Sequence, residues 1–183
     1  KLLPGVPNVT VFDTSFHQTI PEYAYLYAIP YKLYTEDHIR RYGAHGTSHE
    51  FVSNRLANLL GRDIKDMNII SCHLGSGSSI TAVQGGKSVD TSMGLTPLEG
   101  LCMGTRCGDI DPAVLTYLGR TQGMNADQLD NLINKQSGLL GLSGISNDCR
   151  VIEDGVAENN PACIRAMDVF VYRIVKYIGA YAM

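Results

Sequence analysis

Two kinds of hydrophobic pattern alternate along the chain. Between residues 68 and 90, apolar and β-branched residues form three short runs typical of strands, at 68–73, 79–84 and 87–90. The Gly85-Gly86 pair between the last two runs suits a two-residue hairpin turn. The pattern predicts an antiparallel three-stranded meander in the middle of the chain.

Helical patterns lie on both sides of this meander. Thr47 and Glu50 have the spacing of a capping box, and Gly61 provides a stop for the helix that follows. The apolar positions of that helix recur at helical spacing: Phe51, Val52, Leu56, Leu59 and Leu60. Three more helix starts are predicted from N-capping residues, two of them followed by proline: Asp111-Pro112, Asn125 and Asn160-Pro161. Strands followed by helices predict a mixed α/β domain.

The first residues show a different pattern. Residues 9–13 alternate and are rich in β-branched side chains, which predicts a strand with Asp13 at its C-terminal end. The composition changes between Thr14 and Pro30, where Pro21 and Pro30 flank a run of tyrosines. This stretch is the best candidate for a domain boundary.

The composition narrows the classes of protein. The 183 residues are 44% apolar and 18% charged, which suffices for one hydrophobic core and excludes a disordered tail or a fibre. The net charge of −3, without a basic stripe, argues against nucleic-acid binding. The longest predicted helix carries charges that a membrane span does not tolerate: Arg165, Asp168, Arg173 and Lys176. Five cysteines without pairwise spacing favour reduced thiols, so we expect a soluble, cytoplasmic protein.

A glycine-rich turn joins the first two predicted strands. Leu74-Gly-Ser-Gly-Ser-Ser79 can aim backbone N–H groups and hydroxyls at an anion, and its glycines allow close approach to a phosphate. It is not a Walker loop, because no Gly-Lys-Ser/Thr follows and no helix opens there. From the residues alone, a phosphate-binding loop and an ordinary hairpin turn both stay open.

Two histidines lie around the start of the first predicted helix. His45 precedes the capping box, where the helix dipole favours an anion. A rival interpretation makes His45 and His49 metal ligands, completed by Asp13 or His73, although the Glu of an H-E-x-x-H motif is lacking. His49 can equally be a polar residue of the first helical turn.

A glycine-flanked loop carries Arg106 towards the predicted helix start at Asp111. A guanidinium in such a loop suits a multiply charged oxyanion. The alternative is a structural ion pair with Asp109 or Asp111. Cys107 lies beside Arg106, but its surroundings match no nucleophilic cysteine motif.

Five motifs in order resemble the acetate kinase (acetokinase) family of the actin, sugar-kinase and heat-shock-chaperone superfamily. They cover residues 11–21, 40–49, 73–80, 90–100 and 103–112. The resemblance implies an actin-like ATPase (ribonuclease H-like) fold of α/β class, with the three-strand meander plus helices, here incomplete. It also implies reversible transfer of the γ-phosphoryl group of ATP to acetate, giving acetyl phosphate and ADP, with Mg²⁺ as cofactor.

The resemblance assigns roles to residues of this chain. Arg106 and His45 are expected to stabilise the transition state, and Asp13 to help place the metal or the attacking carboxylate. The nucleotide is expected to contact two segments: His73, Leu74, Gly75, Ser76 and Gly77 at its phosphates, and Asp148, Cys149 and Arg150 on the adenosine side. Pro97 and Ala44 are expected to line the acyl pocket.

Two departures from the family pattern bear on the substrate. Ala44 stands where the family usually has an aromatic residue, which would enlarge the acyl pocket and admit propionate or another short acid. Ser76 stands where an asparagine is usual, and its shorter side chain would loosen contact with phosphate. The alternatives are therefore a propionate or other short-chain acyl kinase, or an ATPase switch of the same fold.

The family's first phosphate loop, its downstream adenosine loop and a late metal-binding glutamate have no counterpart in this chain. We therefore expect residues 1–15 to be the end of a first domain and residues 16–183 to be most of a second. Most metal ligands would lie outside the chain, and the chain alone would be inactive. The family also implies a homodimer, in which the helix from Pro161 would form core, dimer surface or both; core is the preferred interpretation.

Overall fold

A three-stranded antiparallel sheet forms the centre of the computed structural model, which describes residues 4–182. Its strands are β1 (Asn68–Leu74), β2 (Ser78–Gln84) and β3 (Lys87–Thr91), in the order β1-β2-β3. The predicted meander is confirmed. Gly85 and Gly86 have φ of 57° and 78°, as a type I′ hairpin turn requires.

Eight α-helices surround the sheet in the described part of the chain. They are α1 (Glu22–Tyr25), α2 (Lys32–Thr35), α3 (Gly46–Leu60), α4 (Ala113–Gln122), α5 (Ala126–Lys135), α6 (Gly138–Ser143), α7 (Cys149–Ala157) and α8 (Pro161–Tyr181). Short 3₁₀ helices span Ser15–Thr19 and Ile64–Asp66.

The three predicted helix starts in the second half are confirmed. The Asp111 carboxylate accepts from the backbone N–H of Ala113, Asn125 forms a capping box with Gln128, and Asn160 caps α8. The one-turn helices α1 and α2, and helices α6 and α7, were not predicted. Short helices show too few turns for a clear hydrophobic period.

The capping box predicted before α3 is wrong. The helix begins at Gly46, so Thr47 lies inside it, and the side chain of the N-cap residue His45 makes no capping hydrogen bond. The buried residues of α3 are small or polar: Gly46, His49, Ser53 and Ala57. Phe51 and Leu59 of the predicted apolar face are 68% and 67% exposed. Gly61 ends the helix in the left-handed conformation, as predicted.

The strand predicted at residues 9–13 is also wrong. These residues are irregular, and Val9 and Val11 are 84% and 75% exposed. A strand needs a partner for its backbone hydrogen bonds, and within residues 4–182 none pairs with this segment. The proposed boundary near residue 15 stays a prediction.

Small hydrophobic clusters hold the elements together. One joins α6, α7 and the first half of α8 through Leu139, Ile152 and Ala166. The core interpretation of α8 holds only for its first half. The second half exposes four apolar side chains: Val171, Tyr172, Val175 and Ile178. No helix within residues 4–182 combines the length and the apolar character needed to cross a bilayer.

Candidate active site

The backbone of His45 is fixed by Asp13. The carboxylate Oδ2 of Asp13 accepts from the N–H of His45 at 2.5 Å, and its carbonyl oxygen accepts from the N–H of Gly46 at 2.8 Å. His45 itself has a left-handed φ of 57° just before α3. A side chain at position 46 would collide with the Asp13 carbonyl, which explains the glycine there. Two N–H groups at the start of α3, those of His45 and Gly46, are thus satisfied by Asp13, which is distant in sequence.

The imidazole of His45 lies against a second imidazole. Its ring stacks on that of His73, with centroids 4.0 Å apart and an interplanar angle of 18°. Its Nδ1 lies 2.9 Å from Oγ of Ser79, while Nδ1 of His73 lies 2.9 Å from Oγ of Ser48. Burial lowers the pKa of His45, and His73 and Arg106 lower it further, against an opposing effect of Asp13. These surroundings favour the uncharged imidazole.

Arg106 meets His45 at Gly77. A Cβ built on Gly77 would lie 2.8 Å from Nη2 of Arg106 and 3.3 Å from Nε2 of His45. Nη1 of Arg106 donates to the carbonyl oxygen of Pro97 at 2.5 Å. Burial lowers the pKa of Arg106, but a guanidinium stays charged in proteins. The structure thus brings the three predicted catalytic side chains, Asp13, His45 and Arg106, to one end of the sheet, and Arg106 pairs with neither Asp109 nor Asp111.

The segment that carries Pro97 is held by Arg41. Its guanidinium donates to the carbonyl oxygens of Thr91 and Met93, each at 3.0 Å, and to Oε1 of Glu99 at 2.7 Å. Oε2 of Glu99 accepts from the hydroxyl of Tyr27 at 2.6 Å. This network fixes the backbone that Arg106 contacts.

The two segments predicted to bind a nucleotide line one cavity. Its volume is about 500 Å³, and its walls include Leu74, Gly75 and Ser76 from the glycine-rich turn and the start of α7, at Asp148, Cys149 and Arg150. The carbonyl oxygen of Ser76 accepts from the N–H of Gly104, which ties the turn to the Arg106 loop. Arg150 is paired with Asp148 at 2.7 Å. His73 and Gly77, predicted with the same set, lie instead beside His45.

The two residues predicted to line the acyl pocket differ in their exposure to solvent. Pro97 is exposed and lines a cavity of about 710 Å³ together with Arg106. Ala44 is only 7% exposed and packs in a cluster with Met93 and Met103. Ala44 is therefore not among the residues that line the cavity beside Pro97.

The metal interpretation of the histidines does not fit the geometry. Both ring nitrogens of His49 are hydrogen bonded, Nδ1 to Ser71 at 2.9 Å and Nε2 to Ser79 at 2.7 Å. Residues 4–182 contain no group of three or more His, Cys, Asp or Glu side chains arranged to hold a metal ion. Asp13 remains as one exposed carboxylate beside His45, which suits an ion bound chiefly by phosphate oxygens and water.

The contact of Ser79 with His45, and that of His49 with Ser79, were not predicted. In the sheet, Ser79 pairs with His73 and Thr81 with Ser71, so these four polar residues share the face against α3. The available signal was the run of hydroxyl residues in a strand, where a buried face is usually apolar. Polar residues on a buried face need partners, and His49 of α3 supplies one.

Comparison with known proteins agrees with the predicted resemblance. The family model described as "Acetokinase family" matches residues 1–183 of this chain. The acetate kinase of Shewanella loihica is 60% identical over 180 residues, which cover 98% of this chain and 45% of that protein. The acetate kinase of Clostridioides difficile is 59% identical over 181 residues, or 99% of this chain and 46% of that protein.

Solved structures show the same relationship. The acetate kinase of Porphyromonas gingivalis superposes with a TM-score of 0.96 at 52% identity, over 99% of this chain and 45% of that one. The propionate kinase of Francisella tularensis gives a TM-score of 0.91 at 49% identity, over 94% and 44%. The predicted α/β, actin-like fold class is confirmed. This chain spans less than half the length of these relatives, and it belongs to the Acetokinase family.

Proposed function

We propose that the protein carrying this chain is an acetate kinase, which transfers the γ-phosphoryl group of ATP reversibly to acetate, giving acetyl phosphate and ADP. The observation that supports it best is the meeting of Nη2 of Arg106 and Nε2 of His45 at Gly77. Phosphoryl transfer depends on positioning and on stabilising charge that spreads over three equatorial oxygens. Two donors aimed at one point suit that task.

The two donors act differently. Arg106 supplies a permanent positive charge and two N–H groups in a fixed fork, with Nη1 already anchored on Pro97. His45 supplies one N–H group, at Nε2. A carboxylate acceptor is already ionised at neutral pH, so the reaction needs no general base. Both side chains therefore stabilise charge, and neither needs to remove a proton.

The cavity between the glycine-rich turn and α7 is the proposed nucleotide site. It adjoins the Gly77 position through the turn itself, so phosphates at Ser76 would extend towards Arg106. The Asp13 carboxylate would hold Mg²⁺ together with phosphate oxygens, and the ion would neutralise their charge. Asp13 can take this part while its Oδ2 accepts from His45, since a carboxylate has further lone pairs.

The acyl acceptor is proposed to bind near Pro97, which touches Arg106. Propionate is the second candidate, because position 44 carries alanine and the structural relative from Francisella tularensis is a propionate kinase. An apolar pocket discriminates one methylene by only about 1–3 kcal/mol. The ratio of kcat/KM for acetate and propionate in the full-length protein decides between them.

A hydroxamate assay for acetyl phosphate on the full-length protein tests the proposal. We expect product only with ATP, Mg²⁺ and acetate together, and a fall of about 10²–10³-fold in kcat for His45→Ala and for Arg106→Ala. His38→Ala is a matched control, since His38 also has a φ of 57° but is exposed. Arg120→Ala is the corresponding control for Arg106→Ala, because Arg120 is an exposed residue of α4. ATP hydrolysis that needs no acyl acceptor would favour the ATPase-switch alternative and would contradict the kinase.

Three further features belong to the proposal. The chain alone is expected to be inactive, because it spans less than half of its relatives. A homodimer is supported by the exposed apolar side chains of α8, and light scattering of the full-length protein tests it. A cytoplasmic location is supported by five free cysteines. We propose no nucleic-acid or membrane partner.

A further inference from the structure

The hydroxyl of Ser79 lies between two imidazoles. Its Oγ is 2.9 Å from Nδ1 of His45 and 2.7 Å from Nε2 of His49. The remaining nitrogen of His49 lies 2.9 Å from Oγ of Ser71. Ser79 and His49 are fully buried. Hydrogen bonds therefore run without interruption from Ser71 through His49 and Ser79 to His45.

Counting protons limits this chain of hydrogen bonds to two arrangements. A serine hydroxyl has one proton, so Ser79 donates to one imidazole and accepts from the other. Burial lowers the pKa of His49 to about 3, with smaller effects of His17, His45 and His73, so His49 is neutral and has a single N–H. In its neutral form His45 likewise carries a single N–H.

The two arrangements differ in what His45 presents to the site. In the first, Nε2–H of His49 donates to Ser79, Ser79 donates to Nδ1 of His45, and the proton of His45 is on Nε2. In the second, Ser79 donates to His49, His49 donates to Ser71, and His45 donates to Ser79. Nε2 of His45 is then a bare acceptor at Gly77, next to Arg106.

Only the first arrangement suits an anion at Gly77. Phosphoryl oxygens accept hydrogen bonds, so a bare Nε2 would repel them. We infer that Ser79 and His49 are positioning residues: by binding Nδ1 of His45 they orient its imidazole so that the N–H at Nε2 faces Gly77, where it can donate to the transferred group. This inference rests on the proposed phosphoryl transfer at His45.

Kinetics of the full-length protein provide the first test. Ser79→Ala should lower kcat by roughly 10- to 100-fold and leave KM for ATP and acetate within about threefold, because only the state of His45 changes. Ser88→Ala is the matched control: Ser88 is equally buried in the same sheet and lies 2.9 Å from Nδ1 of His17, without contact to His45. It should keep wild-type kcat. Ser79→Thr retains the hydroxyl and should recover most of the activity.

Nitrogen-15 spectra of histidine-labelled wild-type protein provide the second test and need no variant to fold. At a pH above the titration of His45 seen in the same spectra, Nε2 of His45 should be protonated and Nδ1 unprotonated, and Ser79→Ala should shift this towards a mixture of tautomers. A protonated Nδ1 in the wild type, or equal kcat for Ser79→Ala and Ser88→Ala, would overturn the inference. Full activity of His45→Ala would contradict the proposed function itself. An inactive His45→Ala together with an active Ser79→Ala would contradict only the positioning role of Ser79 and His49.

Discussion

The carboxylate of Asp13 accepts a hydrogen bond from the backbone N–H of His45, across 32 positions of sequence. This contact fixes His45 in its left-handed conformation and places its ring between His73 and Arg106. The same carboxylate is the one proposed to hold Mg²⁺. Asp13 therefore has a structural role that is separable from its charge.

Substitution of Asp13 separates the two roles. Asp13→Asn keeps an acceptor oxygen for the N–H of His45, whereas Asp13→Ala removes it. We expect Asp13→Ala to lower the free energy of unfolding by about 1 kcal/mol, as for loss of a helix cap, and Asp13→Asn to lower it less. Both should lose most kinase activity. Chemical denaturation and the hydroxamate assay check these outcomes, and an active Asp13→Asn protein would show that the charge is not required.

Gly77→Ala should impair catalysis without impairing folding. The added Cβ would lie 2.8 Å from Nη2 of Arg106, which is the flexible end of a long side chain and can move away at low cost. Its displacement would separate Arg106 from His45 and lower kcat by at least about tenfold. Gly179→Ala in α8 is the control, because nothing lies within 4 Å of that position. Equal kcat for the two variants would mean that the meeting point at Gly77 is not used.

Acid should destabilise the protein through its buried histidines. The pKa of His49 is lowered to about 3, and the pKa values of His17 and His45 are lowered mainly by burial. Below about pH 6.5 the unfolded chain binds protons that the folded chain excludes, so this stability is complete above pH 6.5 and falls as the pH drops.

Urea unfolding between pH 7.5 and 4.5 measures this loss. His49→Gln removes one group that binds a proton in the unfolded chain but not in the folded chain. The unfolding free energy of this variant should therefore depend less steeply on pH. His38→Gln, at an exposed position, is the control and should keep the wild-type slope. An unchanged slope for His49→Gln would show that His49 is protonated in the folded protein.

Arg41→Met should loosen the segment that carries Pro97. The substitution removes the pair with Glu99 and the hydrogen-bond donor to the carbonyl oxygens of Thr91 and Met93. We expect a loss of stability on the order of 2 kcal/mol and a lower kcat, because Arg106 is anchored on Pro97. Arg150→Met breaks an ion pair whose arginine is 86% exposed, and it should leave thermal stability unchanged. Similar melting temperatures for both variants would contradict the assigned role of Arg41.

Local signals in the sequence determined much of the fold. Alternation and the Gly85-Gly86 turn predicted the meander, and the capping residues Asn125 and Asn160 predicted two helices, because hydrogen bonds between near neighbours decide both features. The ordered motifs also identified the family before any geometry was known. The start of α3 was predicted incorrectly, since its capping group is Asp13 and is distant in sequence.

Only the tertiary structure decided which side chains are buried and which hydrogen-bond partners they have. The apolar stripe of α3 predicted a buried face, yet the helix turns His49 and Ala57 inward, because the facing side of the sheet carries hydroxyl groups that need partners. The same packing placed Ser79 between two imidazoles and Gly77 between His45 and Arg106. Sequence determined the local elements and the family; contacts between residues far apart in the chain decided the hydrogen bonds and the pKa values of the site, because these depend on burial and distance.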